Sequence, residues 1–537
     1  MRILYQCFIA AILVSIIQSE IWGPTDLNKW YEQVSIYSKM NNSLTQDVIP
    51  ISYKVKLNTD FENNIKLDGN AEINMNVINS TDVIILRAKN IIIKPNAHLK
   101  CDYPTIEPVI STIEPLDNIT ELFKIILSNK LEVGSNCNLT FNYTRDDATS
   151  STFKTPLIGS ICDETILASW NLACDVIPCP FDRTLKARFT ISVEHSKHYI
   201  ALSHMDAIKV ELNSENPLRL ITHFAESPEI YPIQFVLLLG NFIKDDHNEN
   251  FQIFTTRKSP LSPNYVQEMG TKMMNTISNC TGVPYENLGL KKLKTIMGEF
   301  DSLYFFSLPY DGISNYGCAL IDTSGYARIF EDSTTDSYKI TSIQRMAREM
   351  SNQWLISFVY RSDVKNNWFL KGIPEYLSYV AVDQVQPTWR MMDQFVMYNL
   401  QHNAFQSDYS IHSQHLANHD ANTVDKWKFI NAKSSSIIRM ISFILGEENF
   451  KIALRNFIES KTSGVITNDV LFKELSKVYT RNINLTDALY NWIHTPGYPV
   501  INVKRDYDTG KAIITQSRFE GYTNQISDEK YWIPINF

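Results

Sequence analysis

Residues able to do chemistry concentrate in one stretch: Arg348, Glu349 and Asn352 within five positions, then Lys371 after eighteen more. Side chains four apart on a helix share a face, so Arg348 and Asn352 would project together with the Glu349 carboxylate beside them. A carboxylate held there could act as a general base or pair with a neighbouring cation. A second cluster, His412-x2-His415-x3-His419, would gather three imidazoles if its segment were helical, but its neighbours are Ser, Asn and Asp with few apolar anchors. It reads as an exposed polar loop, with metal binding as the alternative. Cys174-x4-Cys179 has the wrong spacing for a zinc ribbon and reads as a disulfide or a buried thiol. Cys318 has no His near it in sequence and is not read as a nucleophile.

The helix that must position Arg348 is legible. In TSIQRMAREMSNQWLISFVYR the residues Ile343, Met346, Met350, Trp354 and Phe358 recur three or four apart. AKSSSIIRMISFIL and KIALRNFIESK behave similarly, so the middle and later chain is expected to be largely helical. From about Ile49 to Phe242, the alternation in YKVKL, AEINMNV and ARFTISV predicts strands. Strand alternation returns in INVKRDYDTGKAIITQSRF around the turn signal Asp508-Thr509-Gly510.

Composition bounds the partners. The 537 residues are 44% hydrophobic and 20% charged, a globular balance that calls for two to four domains. With a net charge of -8 and no Lys/Arg run to track a phosphate backbone, nucleic acid is excluded as a partner. The opening MRILYQCFIAAILVSIIQSE carries one cation, an apolar stretch and a small residue before Glu20, which fits a cleaved secretory signal over 1–19. Nothing later reaches the roughly 18 apolar residues of a membrane span, and KYWIPINF lacks a lipid-anchor tail. The expected product is secreted and extracellular, with no membrane anchor and with N-linked glycans at some of Asn41, Asn79, Asn118, Asn138, Asn142, Asn279 and Asn484. Seven cysteines remain after the signal, so one is expected to be free or paired between chains.

In a zinc peptidase of the H-E-x-x-H class, two His at i and i+4 share a helix face, the Glu between them polarises the metal-bound water, and a later Glu completes the ligand set. The segment MAREMSNQWLISFVYRSDVKNNWFLKGIPEYLSY resembles the metal-binding core of the aminopeptidase N-like family of zinc metallopeptidases, H-E-x-x-H-x18-E. Gln353, Trp354, Trp368 and Gly372 fall in register with it. Gly312–Gly317 (GISNYG) resembles the end of the family's G-A-M-E-N-W-G motif, matching at Asn315 and Gly317. IPCPFDRTLKARF resembles F-P-C-F-D-E-P-x-F-K-A-x-F, NAKSSSIIRM resembles the Y-x-K-G-a-x-v-x-R-M segment, and NWIHTPGYPVINV resembles the join to a small β-domain.

Carried over by position, the resemblance implies zinc ligands where this sequence has Arg348, Asn352 and Lys371. The general-base position keeps Glu349, while Ser314 replaces the glutamate that would hold a substrate amine and Asn431 replaces the transition-state tyrosine. Gly312, Ser314 and Asn315 become the expected substrate-contacting positions. Two His and one Glu carry a formal charge of −1, whereas Arg, Asn and Lys carry +2, so a dication would meet repulsion instead of lone pairs. Arg348 or Lys371 is expected to pair with Glu349 instead, because a lone buried carboxylate is costly.

By resemblance, the fold is multidomain: a signal peptide over 1–19, a β-rich, saddle-like N-terminal domain over 20–245 and a thermolysin-like, mainly helical α+β peptidase domain over 246–500. The start of a small β-domain, a partial β-sandwich, follows over 501–537, and the long helical roof usual in the family is not reached. The function expected is a catalytically inactive pseudopeptidase that binds a peptide or protein in the former cleft, with no cofactor. The alternative is a zinc-dependent metalloaminopeptidase releasing N-terminal residues.

Overall fold

The computed structural model describes residues 47–60, 66–88, 91–103, 108–116, 122–146, 165–170, 173, 176–180, 185–245, 250–255, 263–298, 312–322, 336–359, 368–408, 415–418, 424–460, 466–481, 483–519 and 529–535. The expected signal peptide, Asn41, Asn118, Cys162, Cys174, His412 and His419 lie outside the described residues. Strands fill the N-terminal part, helices follow from Pro263 to His494, and a strand hairpin closes the order, as the alternating and helical periodicities require. By contact the chain forms two units: residues 1–54, 69–145 and 174–185, and residues 55–68, 146–173 and 186–537.

In the first unit, Ala71, Ile73, Met75 and Val77 of the Lys66–Val77 strand are buried at every second position. That strand pairs in turn with Asn136–Asp146, against which Ile91–Ile93 and His98–Cys101 also lie. Cys101 faces Cys137 across adjacent strands and the two are joined by a disulfide. Tyr143 lies over Gly69, where a β-carbon would sit 2.1 Å from its ring, and its hydroxyl donates to Val176 O. A second sheet runs Cys179–Pro180, Thr81–Arg87, Leu122–Leu131, Ile110–Pro115.

The second unit holds a sheet in which Ala207–Leu212, Arg219–Phe224 and Arg188–Ser196 are neighbours. It also holds a five-stranded sheet ordered Ile243–Asp245, Phe251–Thr255, Leu293–Gly298, Cys318–Asp322, Gly312–Asn315. Phe251–Thr255, Leu293–Gly298 and Cys318–Asp322 are parallel, and the first crossover carries helix α1, Pro263–Thr281. Six more helices of ten or more residues follow among those described: α2 (Asp336–Asn352), α3 (Trp368–Val385), α4 (Val424–Leu445), α5 (Glu447–Ile458), α6 (Asn468–Val478) and α7 (Leu485–His494); a ten-residue π-helix, Phe395–Ala404, lies between α3 and α4. Their shared core includes Trp368, Phe369, Ile373, Ile437, Ile441 and Phe457.

One expectation fails locally. The periodic run from Ile343 predicts a single helix through Phe358, yet α2 stops at Asn352 and a turn precedes the short helix Ile356–Val359. The spacing misses it because both residues are buried anyway, Trp354 from the turn and Phe358 from the short helix after it. The cysteine expectation also needs correcting: Cys280 and Cys318 are both free, while Cys179 is disulfide-bonded.

Helices α3 and α4 come close at Gly372, where a β-carbon would meet Ser434 Cβ at 2.6 Å and its backbone carbonyl carbon at 2.8 Å. The run Ala432 to Ser436 keeps the facing surface of α4 low. Gly372→Ala should therefore force the two helices apart and lower stability by about 1–3 kcal/mol, although alanine favours helix intrinsically. A urea melt of the variant equal to or above that of the parent would contradict this packing.

Candidate active site

Glu349 sits near the end of α2 and is 3% exposed. Helix α2 packs against the strand Gly312–Asn315 and against α3, so a residue on its inner face meets groups from both elements. Arg348 occupies the first expected ligand position, and its Nε and Nη2 both lie 3.1 Å from Glu349 Oε1. The other carboxylate oxygen, Oε2, accepts from Asn352 Nδ2 at 3.1 Å and lies 2.7 Å from Ser314 Oγ. The same hydroxyl is 2.7 Å from Glu349 O, and its single proton serves one acceptor at a time. Both carboxylate oxygens are thus engaged by groups at the positions where the resemblance leads one to expect metal ligands and the amine anchor.

The expected pairing of a cation with Glu349 is present through Arg348. Lys371 lies half-buried on α3, four residues before Glu375. Glu375 did not stand out from sequence, yet Arg348 Nη1 lies 3.7 Å from its Oε2. Gln344, one turn before Arg348, donates to Glu375 Oε1 at 3.2 Å and to Ser378 Oγ at 2.8 Å. The spacings 344/348 and 371/375 place these residues on matching helix faces, a signal visible in sequence once α2 and α3 are known to be neighbours. The Glu375 carboxyl is held above its ordinary range chiefly by burial; Arg348 pulls it down and Glu349 pushes it up.

Gln353 fixes the strand pair to the helix end. Its Nε2 donates to Asn315 O at 3.0 Å and Cys318 O at 3.1 Å, while its Oε1 accepts from Gly317 N at 3.0 Å. Gly317 turns the chain at φ +71°, and a β-carbon there would meet His204 O at 2.7 Å, so only glycine suits the position. Next to it, Trp354 Nε1 donates to Val283 O at 2.8 Å. Gly312 pairs with Ile321 at the other end of the same hairpin. Asn315 is fully buried, and its Oδ1 accepts from Tyr316 N at 2.7 Å. Asn431 is buried on α4, and its Oδ1 has no hydrogen-bond partner among the described residues. Cys318 is buried, which pushes its thiol up to about 12, an unreactive state. Of the histidine cluster, His415 is exposed beside His494.

Tested as a zinc site, these positions do not fit. Arginine offers donors and no lone pair, and lysine is charged at neutral pH. Asn352 points its amide hydrogens at Glu349. No group of three or more His, Cys, Asp or Glu able to hold a metal occurs among the described residues.

Arg348 therefore bridges two buried carboxylates on different helices. Arg348→Met should cost about 3–5 kcal/mol near neutral pH by leaving both uncompensated. A carboxyl whose folded pKa is raised binds its proton more tightly when folded, so its contribution falls as pH rises from the ordinary carboxylate range toward the folded value. Removing Arg348 raises Glu375 further, so the variant should regain part of its lost stability at about pH 4.5. Chemical denaturation at both pH values checks this, and an equal loss at the two would refute it.

Residues 49–231 match the Peptidase M1 N-terminal domain and residues 266–492 the Peptidase family M1 domain. The chain is 26% identical to a leucyl aminopeptidase of Saccharolobus solfataricus over 68% of its own length and 44% of the relative's. It is 22% identical to an aminopeptidase N of Plutella xylostella, covering 93% of this chain and 54% of that protein. It is also 22% identical to the human thyrotropin-releasing hormone-degrading ectoenzyme, over 88% of this chain and 44% of that one. The chain thus spans about half the length of these curated relatives. With both domains matched in order and the β-rich and helical parts folded accordingly, the chain belongs to peptidase family M1 as an aminopeptidase N-like member.

Proposed function

We infer that this chain is a catalytically silent, secreted member of its family that binds a peptide or protein in the former active-site cleft. The observation that carries this is the Arg348–Glu349 ion pair at 3.1 Å. A general base must have an oxygen free to accept the proton of the attacking water. In Glu349, one oxygen is held by a guanidinium and the other by Asn352 and Ser314. The amine anchor and the transition-state donor are replaced as well, by Ser314 and Asn431, which removes the charged and phenolic groups that exopeptidase chemistry would use.

Binding needs none of those groups. Gly312, Ser314 and Asn315 form a strand at the edge of the five-stranded sheet, the geometry on which an extended peptide can add main-chain hydrogen bonds. Secretion and N-glycosylation fit the opening apolar segment and the exposed side chains of Asn79, Asn279 and Asn484. No helix among the described residues is long and apolar enough to cross a membrane.

The second reading is a zinc-dependent metalloaminopeptidase, favoured by the names of the relatives. Metal analysis of the purified protein beside hydrolysis of amino-acid anilides separates the two. The silent member should hold no stoichiometric zinc and show no turnover; one zinc per chain with turnover would overturn the proposal. The combined Arg348→His, Asn352→His and Lys371→Glu variant should gain zinc binding with little hydrolysis while Ser314 and Asn431 remain, measured by calorimetric zinc titration.

A further inference from the structure

We propose that the strand Ala207–Leu212 is a self-association edge, through which two copies of this chain pair antiparallel about a twofold axis at Val210. The inference does not depend on whether the peptidase cleft is silent. Among the described residues this strand ends its sheet, hydrogen-bonded to Arg219–Phe224 on one side only. Ile208, Val210 and Leu212 are 69%, 55% and 62% exposed. Soluble chains rarely leave such an edge open, because unpaired amides and apolar side chains on one strand invite another strand.

The backbone is aimed correctly. Asn213 N donates to Arg219 O. Successive residues of an antiparallel strand point their amides to opposite sides, so Glu211 turns inward with Asn213. The N–H and C=O groups of Val210 and Leu212 then turn to the open edge. Two such edges meeting at Val210 would exchange a reciprocal pair of N–H···O=C bonds there.

The side chains of Ala207–Leu212 are complementary to themselves in that register. Val210 faces the partner copy's Val210, and Lys209 faces its Glu211. Past the register shift, Val210 and Leu212 lie on one face and Lys209 and Glu211 on the other. A lone lysine would blunt an edge, but here Glu211 neutralises it, with Lys209 Nζ 2.5 Å from Glu211 Oε2 in the same chain, while Glu211 Oε1 lies 3.0 Å from His223 Nε2 of the neighbouring strand. Dimerisation exchanges that contact for two across the twofold. The register shift between Ala207 and Lys209 confines regular pairing to the part of the strand around Val210. So short a strand buries less than the ~1,200 Å² of a standard stable interface, so the dimer should be concentration-dependent.

Sedimentation velocity of the full glycosylated chain should show a reversible monomer–dimer equilibrium. Lys209→Glu places like charges opposite one another and should weaken dimerisation about tenfold or more. Adding Glu211→Lys restores the complementarity and should restore the dimer. Val210→Pro deletes an amide that faces outward, a substitution edge strands tolerate, and should leave a folded monomer by circular dichroism. A chain that stays monomeric up to its solubility limit overturns the proposal. So does a dimer that ignores the single charge reversal, whether or not the proline variant folds. Loss of the dimer in both charge-altered variants also rejects the twofold register.

Discussion

A buried guanidinium must have its charge met by carboxylates, and the arrangement around Arg348 follows from that requirement. Burying one cation and two acids is tolerable only when their positions are fixed closely enough for each charge to offset another. Helices α2 and α3 supply the three groups, and the strand Gly312–Asn315 adds Ser314 beside them. Arg348 is covalently part of α2, so this cross-link between the helices is made by the chain itself.

Other contacts hold the same frame. The tryptophans in register serve packing and orientation: Trp354 reaches a backbone carbonyl and Trp368 donates to Asn468 Oδ1 at 2.8 Å. These contacts are as useful to a binding protein as to an enzyme. A fold does not specify chemistry; residues placed on it do. Further along, the buried pair Lys433–Asp408 at 2.7 Å, with Gly497 N donating to Asp408 Oδ1 at 3.0 Å, ties α4 to the segment leading into the final hairpin Pro499–Asp506 and Lys511–Arg518. Burial lowers the Lys433 pKa while Asp408 opposes the shift.

Much of the architecture was legible because periodicity reports burial. Alternation in AEINMNV reads directly as the buried series Ile73, Met75, Val77, and the spacing in SIIRMISFIL reads as the core face of α4. The end of α2 was not legible, since Trp354 and Phe358 keep helical spacing while the backbone turns beneath them. Within the site, local neighbours of Glu349 could be inferred along one helix. Glu375 could not, because its contact with Arg348 depends on how α3 lies against α2, which no spacing encodes. The second free thiol escaped for a similar reason: counting cysteines gives parity, whereas pairing is decided by which strands face each other.

The Gln353 clamp binds Asn315, Gly317 and Cys318 only through main-chain atoms. Apart from the glycine, then, it places no demand on what side chains that hairpin carries. A substitution at 314 or 316 would leave these three hydrogen bonds in place and remove only the contact of Ser314 with Glu349 or of Tyr316 with Leu288 O. The path of the hairpin is thereby separable from the identity of the side chains it carries.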